Sequence, residues 1–412
     1  MKVLLFEQWN GGHYTNYLRC LLPEVARLSE QVVVAVNETM RQALSDSPAL
    51  SSLTNVSFAP VLNEVGPSLR PRDRLDATRN LLDSVRSVRP DFTLLPSADA
   101  QTAGMALMQS FASRAVRRLG PIEGTLHYGY GYATTGIKEK IKELVYSRTY
   151  RRTPYSSVNF VNFAYYEYAR TRGLIGPERL RFVGDPVPQP NRIGRDAARR
   201  LLGLDPGGRY LGLFGVLDAR KAVPELLAAF RRADLPATDR LVLGGRLDST
   251  YAALVDTDYA DLVRAGRIVV IDRFLSDREL ESAYEALDLA TIVYYRFPGL
   301  ASLALKAVAA GTPVIAHDFG WLRALIRRFD VGTTTDIFDI ARFAEDLRSG
   351  LAMSQGNPSS PATTRLLRFH EEANFIARMT SGLRQTSGAS PAESVDWDWV
   401  LEAVPPERRA LL

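Results

Sequence analysis

The stretch at residues 289–320, LATIVYYRFPGLASLALKAVAAGTPVIAHDFG, contains the pattern that decides the fold. Leu289–Tyr295 is an apolar run, rich in β-branched and aromatic residues and short enough to be a buried strand. Pro298-Gly299 then breaks the run, and Ser302–Ala310 has the apolar spacing of a helix. Gly311 and a proline shortly after it are a usual signal for the end of a helix. We therefore predict a strand, a loop, a helix and a second strand.

Such a unit can bind an anion at the mouth of its loop, here Gly299–Ser302. The free N–H groups of the first helical turn and the positive end of the helix dipole converge there. The pattern by itself leaves two alternatives open, an anion site and an ordinary βαβ crossover without a ligand.

The same alternation of short apolar runs and amphipathic segments continues through the rest of the chain. In the first half the predicted elements are strands at Lys2–Phe6, Gln31–Val36, Leu53–Ala59 and Asp91–Leu95 and helices at Tyr14–Leu28, Arg72–Val88 and Asp99–Leu119. Near the C-terminus, Arg365–Leu383 is predicted to be a helix. Alternation of this kind predicts α/β domains in which helices cover both faces of a parallel sheet. Ligands of such sheets bind beyond the carboxyl ends of the strands.

Composition narrows the class of protein. The 412 residues are 46% hydrophobic, which is enough for two or three domains with sizeable cores. The single cysteine, Cys20, excludes an intramolecular disulfide and fits a reducing cytoplasm. The first residues contain only a five-residue apolar run, which predicts a strand and no signal peptide. The sequence contains no run of 18 apolar residues, so we predict no membrane span.

The positive charge is concentrated in the first half of the chain. Residues 1–186 contain 23 Lys and Arg against 17 Asp and Glu, a net charge of +6, whereas the remainder has a net charge of −1. A basic face suits an anionic acceptor, an anionic membrane surface or nucleic acid, and the alternative is a solvated Arg-rich surface. No nucleic-acid-binding motif accompanies the charge, so we expect no nucleic-acid partner.

One predicted helix, Thr134–Arg152, is both amphipathic and basic. Its apolar face consists of Ile137, Ile141, Leu144 and Val145, among several lysines and arginines. Two alternatives are open for this face. It can dock on an anionic lipid surface, or it can pack on its own domain and leave the charges in water.

Two segments resemble glycosyltransferase family 4. The segment PGLASLALKAVAAGTPVIA is similar to the donor-binding loop of that family from Gly299 onward, but the two glutamates of the family motif fall on Pro298 and Lys306. The segment GVLDARKAVPELLAAF at 215–230 resembles a second family motif, whose arginine falls on Val216 and whose lysine falls on Lys221.

The resemblance implies a GT-B fold, with two Rossmann-like doubly wound parallel-sheet domains facing a central cleft. Residues 1–186 would form the acceptor-binding domain and 187–370 the nucleotide-sugar-binding domain. Residues 371–412 would cross back to the first domain as C-terminal helices and a tail. A proline-rich stretch at 177–190 independently suggests a link between two domains.

The resemblance also implies roles for individual residues. His127, in the segment TLH, would contact the donor sugar, and Lys221 would bind the donor diphosphate, whose negative charge a fixed ammonium stabilises. Lys306, which can only donate hydrogen bonds, would meet a phosphate or pair with a carboxylate. Further candidates on the donor side are Gly11, Gly12, Arg220, Arg246, Arg273, Phe274, Gly299, Leu300, Ala301 and Ser302, and those on the acceptor side are His13 and Asp99.

The function implied is transfer of a sugar from a nucleotide-activated donor to an unidentified acceptor. We expect a retaining, metal-independent reaction without a cofactor, in the cytoplasm, with an anionic or lipid-linked acceptor and peripheral contact with the inner face of the membrane left open. The replacements at Pro298, Lys306 and Val216 support an alternative of another class, a catalytically inactive GT-B protein that acts as a binding or scaffold subunit.

Overall fold

Two parallel β-sheets organise the chain. The computed structural model describes residues 1–9, 12–62, 71–111, 119–129, 132, 136–187, 192–353 and 360–409. Packing divides the chain into two compact units: unit 1 comprises Met1–Pro186 and His370–Val395, and unit 2 comprises Val187–Phe369 and Asp396–Leu412.

Unit 1 is built on a sheet of seven strands. The strands are β1 (Lys2–Phe6), β2 (Gln31–Ala35), β3 (Val56–Phe58), β4 (Phe92–Leu95), β5 (Ile122–Leu126), β6 (Ser157–Phe160) and β7 (Leu180–Phe182). All neighbours are parallel, in the order β3-β2-β1-β4-β5-β6-β7. The helices between the strands are α1 (Gly12–Arg27), α2 (Glu38–Ser45), α3 (Pro48–Ser51), α4 (Pro71–Val88), α5 (Asp99–Phe111), α6 (Ile137–Arg151) and α7 (Phe163–Thr171).

Unit 2 repeats the architecture with six strands. The strands are β8 (Arg209–Phe214), β9 (Asp239–Gly244), β10 (Ile268–Ile271), β11 (Leu289–Ile292), β12 (Val314–His317) and β13 (Gly332–Thr335). They are all parallel, in the order β10-β9-β8-β11-β12-β13. The helices are α8 (Arg195–Leu201), α9 (Val223–Ala233), α10 (Ser249–Asp258), α11 (Ala260–Arg264), α12 (Asp277–Ala283), α13 (Ser302–Ala310), α14 (Gly320–Phe329), α15 (Ile340–Met353) and α16 (Pro361–Phe369).

The C-terminal helices belong to both units. They are α17 (Glu372–Met379) and α18 (Ser381–Ser387) in unit 1, and α19 (Trp397–Glu402) and α20 (Pro406–Arg409) in unit 2. The sequence prediction placed the whole of 371–412 with the first domain. The structure places 396–412 in unit 2, because Trp397 is buried there against the rings of Phe329 and Phe369.

The predicted α/β architecture with parallel sheets is confirmed. The deciding stretch folds as expected, with β11, then α13, and then β12. Gly311 ends α13 in the left-handed conformation at φ 76°, which a glycine adopts without steric cost. Each sheet reverses its winding once, between β1 and β4 in unit 1 and between β8 and β11 in unit 2, and ligands of doubly wound sheets bind at such switch points.

One predicted helix is wrong. The apolar spacing of Arg365–Leu383 predicts a single helix, but α16 ends at Phe369 and α17 begins at Glu372. The break coincides with the passage of the chain from unit 2 to unit 1. His370 is fully buried at this point, and its Nδ1 is 3.1 Å from the backbone N of Asp185. A long-range contact therefore outweighs local helix propensity here.

Of the two alternatives for the basic helix, packing of its apolar face on its own domain is the one that the structure contradicts. In α6 the side chains of Ile137, Ile141, Leu144 and Val145 are exposed. The helix is attached instead through its other face, where Ser147 and Tyr150 are buried. None of the helices that the structure describes is long and apolar enough to cross a membrane.

We expect Trp397→Ala to destabilise unit 2 by ~3–5 kcal/mol, because it removes a large buried ring and leaves a cavity. Trp399→Ala is the matched control, since the ring of Trp399 is only partly buried and stacks on Arg365 and Arg368. Hydrogen exchange resolved by segment measures the effect. Faster exchange in β8–β13 with little change in β1–β7 is the expected result, and equal acceleration in both sheets contradicts the assignment of 396–412 to unit 2.

Candidate functional site

Lys221 lies at the switch point of unit 2, in the loop between β8 and α9. Its side chain is buried, and Nζ donates a hydrogen bond to the carbonyl oxygen of Phe214, the last residue of β8. The Tyr294 ring, just beyond the carboxyl end of β11, lies 5.7 Å from Nζ, within the range of a cation–π interaction. The ammonium is therefore placed between the two central strands.

Burial changes the charge of this lysine. Loss of hydration lowers the pKa of Lys221 to about 7, with the Asp218 carboxylate raising it and Arg220 lowering it further. An anion bound beside Nζ would favour the ammonium form. The site is therefore suited to an anionic ligand, whose charge would stabilise the ammonium form of Lys221.

The loop around Lys221 is joined to the segment that leads into the Gly299 loop. The backbone N–H of Ala222 donates to the carbonyl oxygen of Val293, and the backbone N–H of Tyr295 donates to the carbonyl oxygen of Arg220. Tyr294 in turn stacks on Phe297, with ring centroids 5.2 Å apart. The lysine and the loop are thus held by one continuous set of contacts.

Gly215 lets the end of β8 approach both the lysine and the next helix. Its φ is 97°, and a Cβ added there would lie 3.1 Å from Lys221 Nζ and 3.1 Å from Leu303 Cδ1. Leu303 belongs to the first turn of α13. Lys221 and the start of α13 are therefore neighbours across this glycine.

The start of α13 presents unused backbone donors. The N-cap residue, Ala301, makes no side-chain cap, and no acidic residue lies in the first turn. Among the described residues, the amides of Gly299, Leu300 and Ala301 find no acceptor. The first N–H groups of a helix have no partner inside it, so this end is suited to an anion, and Ser302 lies in the same turn.

Arg220 and Arg246, two of the donor-side candidates, differ in their pairing. Arg220 is bound by Asp218, at 2.8 Å between Nη2 and Oδ2. Arg246 is exposed, and its guanidinium makes no hydrogen bond to the part of the chain that the structure describes. Leu217 and Leu247 form a parallel bridge, which places Arg246 beside Val216, the position of the arginine in the family motif. Arg246 is the better placed of the two.

Arg273 and Phe274 follow β10 in an exposed loop. The Arg273 guanidinium is held by Glu279, which also caps α12 together with Ser276. Phe274 is 73% exposed. A large exposed ring can stack on a planar base, whereas Arg273 is used to hold the loop.

Lys306 lies one turn into α13 and is partly buried. No carboxylate among the described residues forms an ion pair with Lys306, so the structure does not support the predicted pairing with a carboxylate. The alternative that it meets a phosphate stays a prediction.

In unit 1, His127 follows β5 at the carboxyl edge of the sheet. Its Nε2 lies 3.1 Å from the carbonyl oxygen of Pro96, and its ring stacks on Tyr17 with centroids 5.6 Å apart. Asp99, the first residue of α5, accepts hydrogen bonds from the backbone N of His127 and of Tyr128, at 3.0 and 3.1 Å. Asp99 thus positions the histidine loop, a role that the sequence did not indicate.

Sequence reasoning missed a second buried carboxyl beside these residues. Glu7 follows β1, is fully buried, and accepts a hydrogen bond from the backbone N of Trp9 at 3.0 Å. Burial raises the pKa of Glu7 well above its usual range, and the nearby Asp99 charge adds to that shift. Burial also raises the pKa of Asp99. A carboxylate directly after a buried strand was the signal available in the sequence.

The structure describes only part of the predicted glycine turn at Gly11, Gly12 and His13. Gly12 is the first residue of α1. Gly11 and the side chain of His13 lie outside the described residues. Within the described part of the chain, no three His, Cys, Asp or Glu side chains are grouped as metal ligands.

Comparison with known proteins gives named relatives over part of the chain. The chain is 32% identical over 182 residues to a D-inositol 3-phosphate glycosyltransferase of Mycobacterium sp. strain KMS, covering 44% of this chain and 39% of that protein. It is 35% identical over 151 residues to the protein of the same name from Rhodococcus opacus strain B4, covering 34% and 33%. The chain thus matches between a third and two fifths of the length of these curated relatives. No family model matches it.

Solved structures resemble nearly the whole chain. Anabaena HepE in complex with UDP superposes with a TM-score of 0.63 at 16% identity, covering 93% of this chain and 100% of that chain. Sucrose-phosphate synthase of Thermosynechococcus elongatus gives 0.66 at 16% identity, covering 94% and 100%. A trehalose-phosphate synthase of Burkholderia vietnamiensis gives 0.64 at 14% identity, covering 93% and 100%. With its two Rossmann-like parallel-sheet domains, the chain has the GT-B fold, as predicted.

We expect Lys221→Met to raise the free energy of unfolding by ~1–3 kcal/mol at pH 7. In the unfolded chain the Lys221 side chain keeps its proton up to about pH 10.5, whereas in the folded chain it releases the proton near pH 7. Below about pH 10 the buried lysine therefore lowers the free energy of unfolding of the wild type, and methionine does not. Urea unfolding from pH 6 to 9.5 measures the difference, which should shrink as the pH rises. Lys221→Arg is the control, because arginine stays charged and should lower stability at every pH. A gain that does not vary with pH contradicts burial of the ammonium.

Proposed function

We propose that this protein is a glycosyltransferase that takes a sugar from a nucleotide-activated donor. The observation that carries the proposal is the convergence of the buried Lys221 with the uncapped start of α13 at the switch point of unit 2. A departing nucleoside diphosphate gains negative charge. An ammonium and a set of backbone N–H groups stabilise that charge without a metal ion.

The named relatives support this reading. Two of them are called D-inositol 3-phosphate glycosyltransferases, and one structural neighbour was solved with UDP. We propose a retaining, metal-independent reaction, on the resemblance of the 299–316 segment to family 4. The acceptor is proposed to be anionic or lipid-linked, given the +6 charge of residues 1–186, and an inositol phosphate is the first compound to test.

The other residues have secondary roles in this proposal. Arg246 supplies the guanidinium missing at Val216, and the Phe274 ring stacks on the nucleobase. Lys306 stands at the position of a family glutamate, so a carboxylate that would bind the ribose is lost there. A contact between the Lys306 ammonium and the nucleotide sugar takes its place. His127 contacts the donor sugar, while Asp99 fixes the backbone of its loop.

An inactive GT-B subunit that binds a partner is the second candidate. It is favoured by the loss of both family glutamates at Pro298 and Lys306. Nucleotide binding separates the two candidates, because a scaffold has no need of a diphosphate site.

We expect calorimetry with UDP, GDP and ADP at pH 8 to show that at least one of them binds. Binding should take up close to one proton, because a diphosphate restores the ammonium of Lys221, whose pKa is about 7 in its absence. Heats measured in two buffers of different ionisation enthalpy give the proton number. Lys221→Met should abolish the uptake and weaken binding at least tenfold. Absence of binding to all three nucleotides favours the scaffold and overturns the proposal.

We expect His127→Ala to lower sugar transfer at least tenfold while leaving the dissociation constant of the free nucleoside diphosphate within about twofold. The reason is that the histidine is assigned to the sugar and Lys221 to the diphosphate. The measurement is turnover of a panel of nucleotide sugars, with inositol 3-phosphate among the acceptors, alongside calorimetry on the same preparation. Full transfer activity in the variant shows that the histidine is structural.

A further inference from the structure

Helix α6 of unit 1 faces outward with its apolar side. Ile137 is 78% exposed, Ile141 58%, Leu144 67% and Val145 55%. Their spacing, i, i+4, i+7 and i+8, places all four on one face of the helix. In a globular protein such a stripe is normally the buried side of a surface helix, so its exposure needs an explanation.

The helix is attached by the opposite, more polar face. Tyr150 is buried and meets the rings of Phe160 and Tyr165 edge to face. Tyr146 Oη accepts a hydrogen bond from Arg74 at 3.0 Å, and the carboxylate of Glu143 accepts one from the Tyr168 hydroxyl. Rotating the helix to bury its aliphatic side chains would break all of these contacts. The outward orientation is therefore fixed by packing.

Cations flank the exposed stripe. Lys138, Lys140, Lys142 and Arg148 are all exposed. None of them forms an ion pair with the side chains that the structure describes, and the described carboxylate of the helix, Glu143, is turned inward to Tyr168. Long basic side chains can lie along an apolar surface while their charged ends reach the phosphate level of a lipid bilayer.

We propose that α6 docks unit 1 on an anionic membrane surface, with Ile137, Ile141, Leu144 and Val145 inserted among the lipid headgroups and the flanking lysines and Arg148 on the lipid phosphates. The charge pattern decides between occupants. Lysine is depleted at protein–protein interfaces, whereas an exposed aliphatic stripe among lysines matches an anionic lipid surface in both charge and apolarity. The inference does not depend on the transferase activity.

The test is flotation of the full-length chain with phosphatidylcholine vesicles that contain none or 30% phosphatidylglycerol. We expect binding only to the anionic vesicles, weaker at high salt. The double variant Ile141→Glu with Leu144→Glu should lower the partition coefficient at least tenfold. Lys138→Gln with Lys142→Gln should lower it about tenfold or more, because each basic residue near an anionic surface adds to the attraction.

Met353→Glu is the matched control, because Met353 is 62% exposed in unit 2 and its loss should leave vesicle binding unchanged. Since Ile141 and Leu144 are exposed, the double variant should fold, and an unchanged thermal melt confirms that. Failure of the wild type to float with anionic vesicles at low salt overturns the proposal. So does equal flotation of the Ile141→Glu, Leu144→Glu variant. A wild-type dimer that this variant dissociates, without vesicle binding, assigns the face to a second copy instead and also overturns it.

Discussion

The site in unit 2 depends on one energetically costly arrangement, an ammonium group held out of water at the end of a parallel sheet. Lys221 donates to the Phe214 carbonyl and faces the Tyr294 ring, contacts that only partly replace its hydration. Burial therefore lowers its pKa to about 7. No carboxylate of the described residues forms an ion pair with Lys221, and such a buried cation is tolerated where function requires it, because an anionic ligand completes the interaction.

The rest of unit 2 can be understood as support for that lysine. The sheet order brings β8 beside β11, so the loops after these strands meet at the switch point. Gly215, at φ 97°, leaves room for Lys221 on one side and for the first turn of α13 on the other. Because α13 begins without a side-chain cap, its N–H groups stay available beside the ammonium. Strand order, glycine and helix end together produce one locally positive point.

The sequence was sufficient to predict helix α13 and its end because both depend on local patterns. The Ser302–Ala310 helix and its Gly311 end follow from apolar spacing and from a glycine that tolerates positive φ. Features that depend on distant contacts were not predictable. Asp99 binds the amides of His127 and Tyr128, and the chain breaks its helix at His370 because that ring contacts Asp185. The sequence left the orientation of the apolar face of α6 open for the same reason, since tertiary packing decides which face of a helix is buried.

The decisive measurement is a crystal structure of the chain soaked with a nucleoside diphosphate. We expect one diphosphate oxygen within hydrogen-bond distance of Lys221 Nζ, and other diphosphate oxygens accepting hydrogen bonds from the amides at Gly299–Ser302. A diphosphate bound elsewhere in the molecule, with Nζ still directed only at the Phe214 carbonyl, would contradict this expectation.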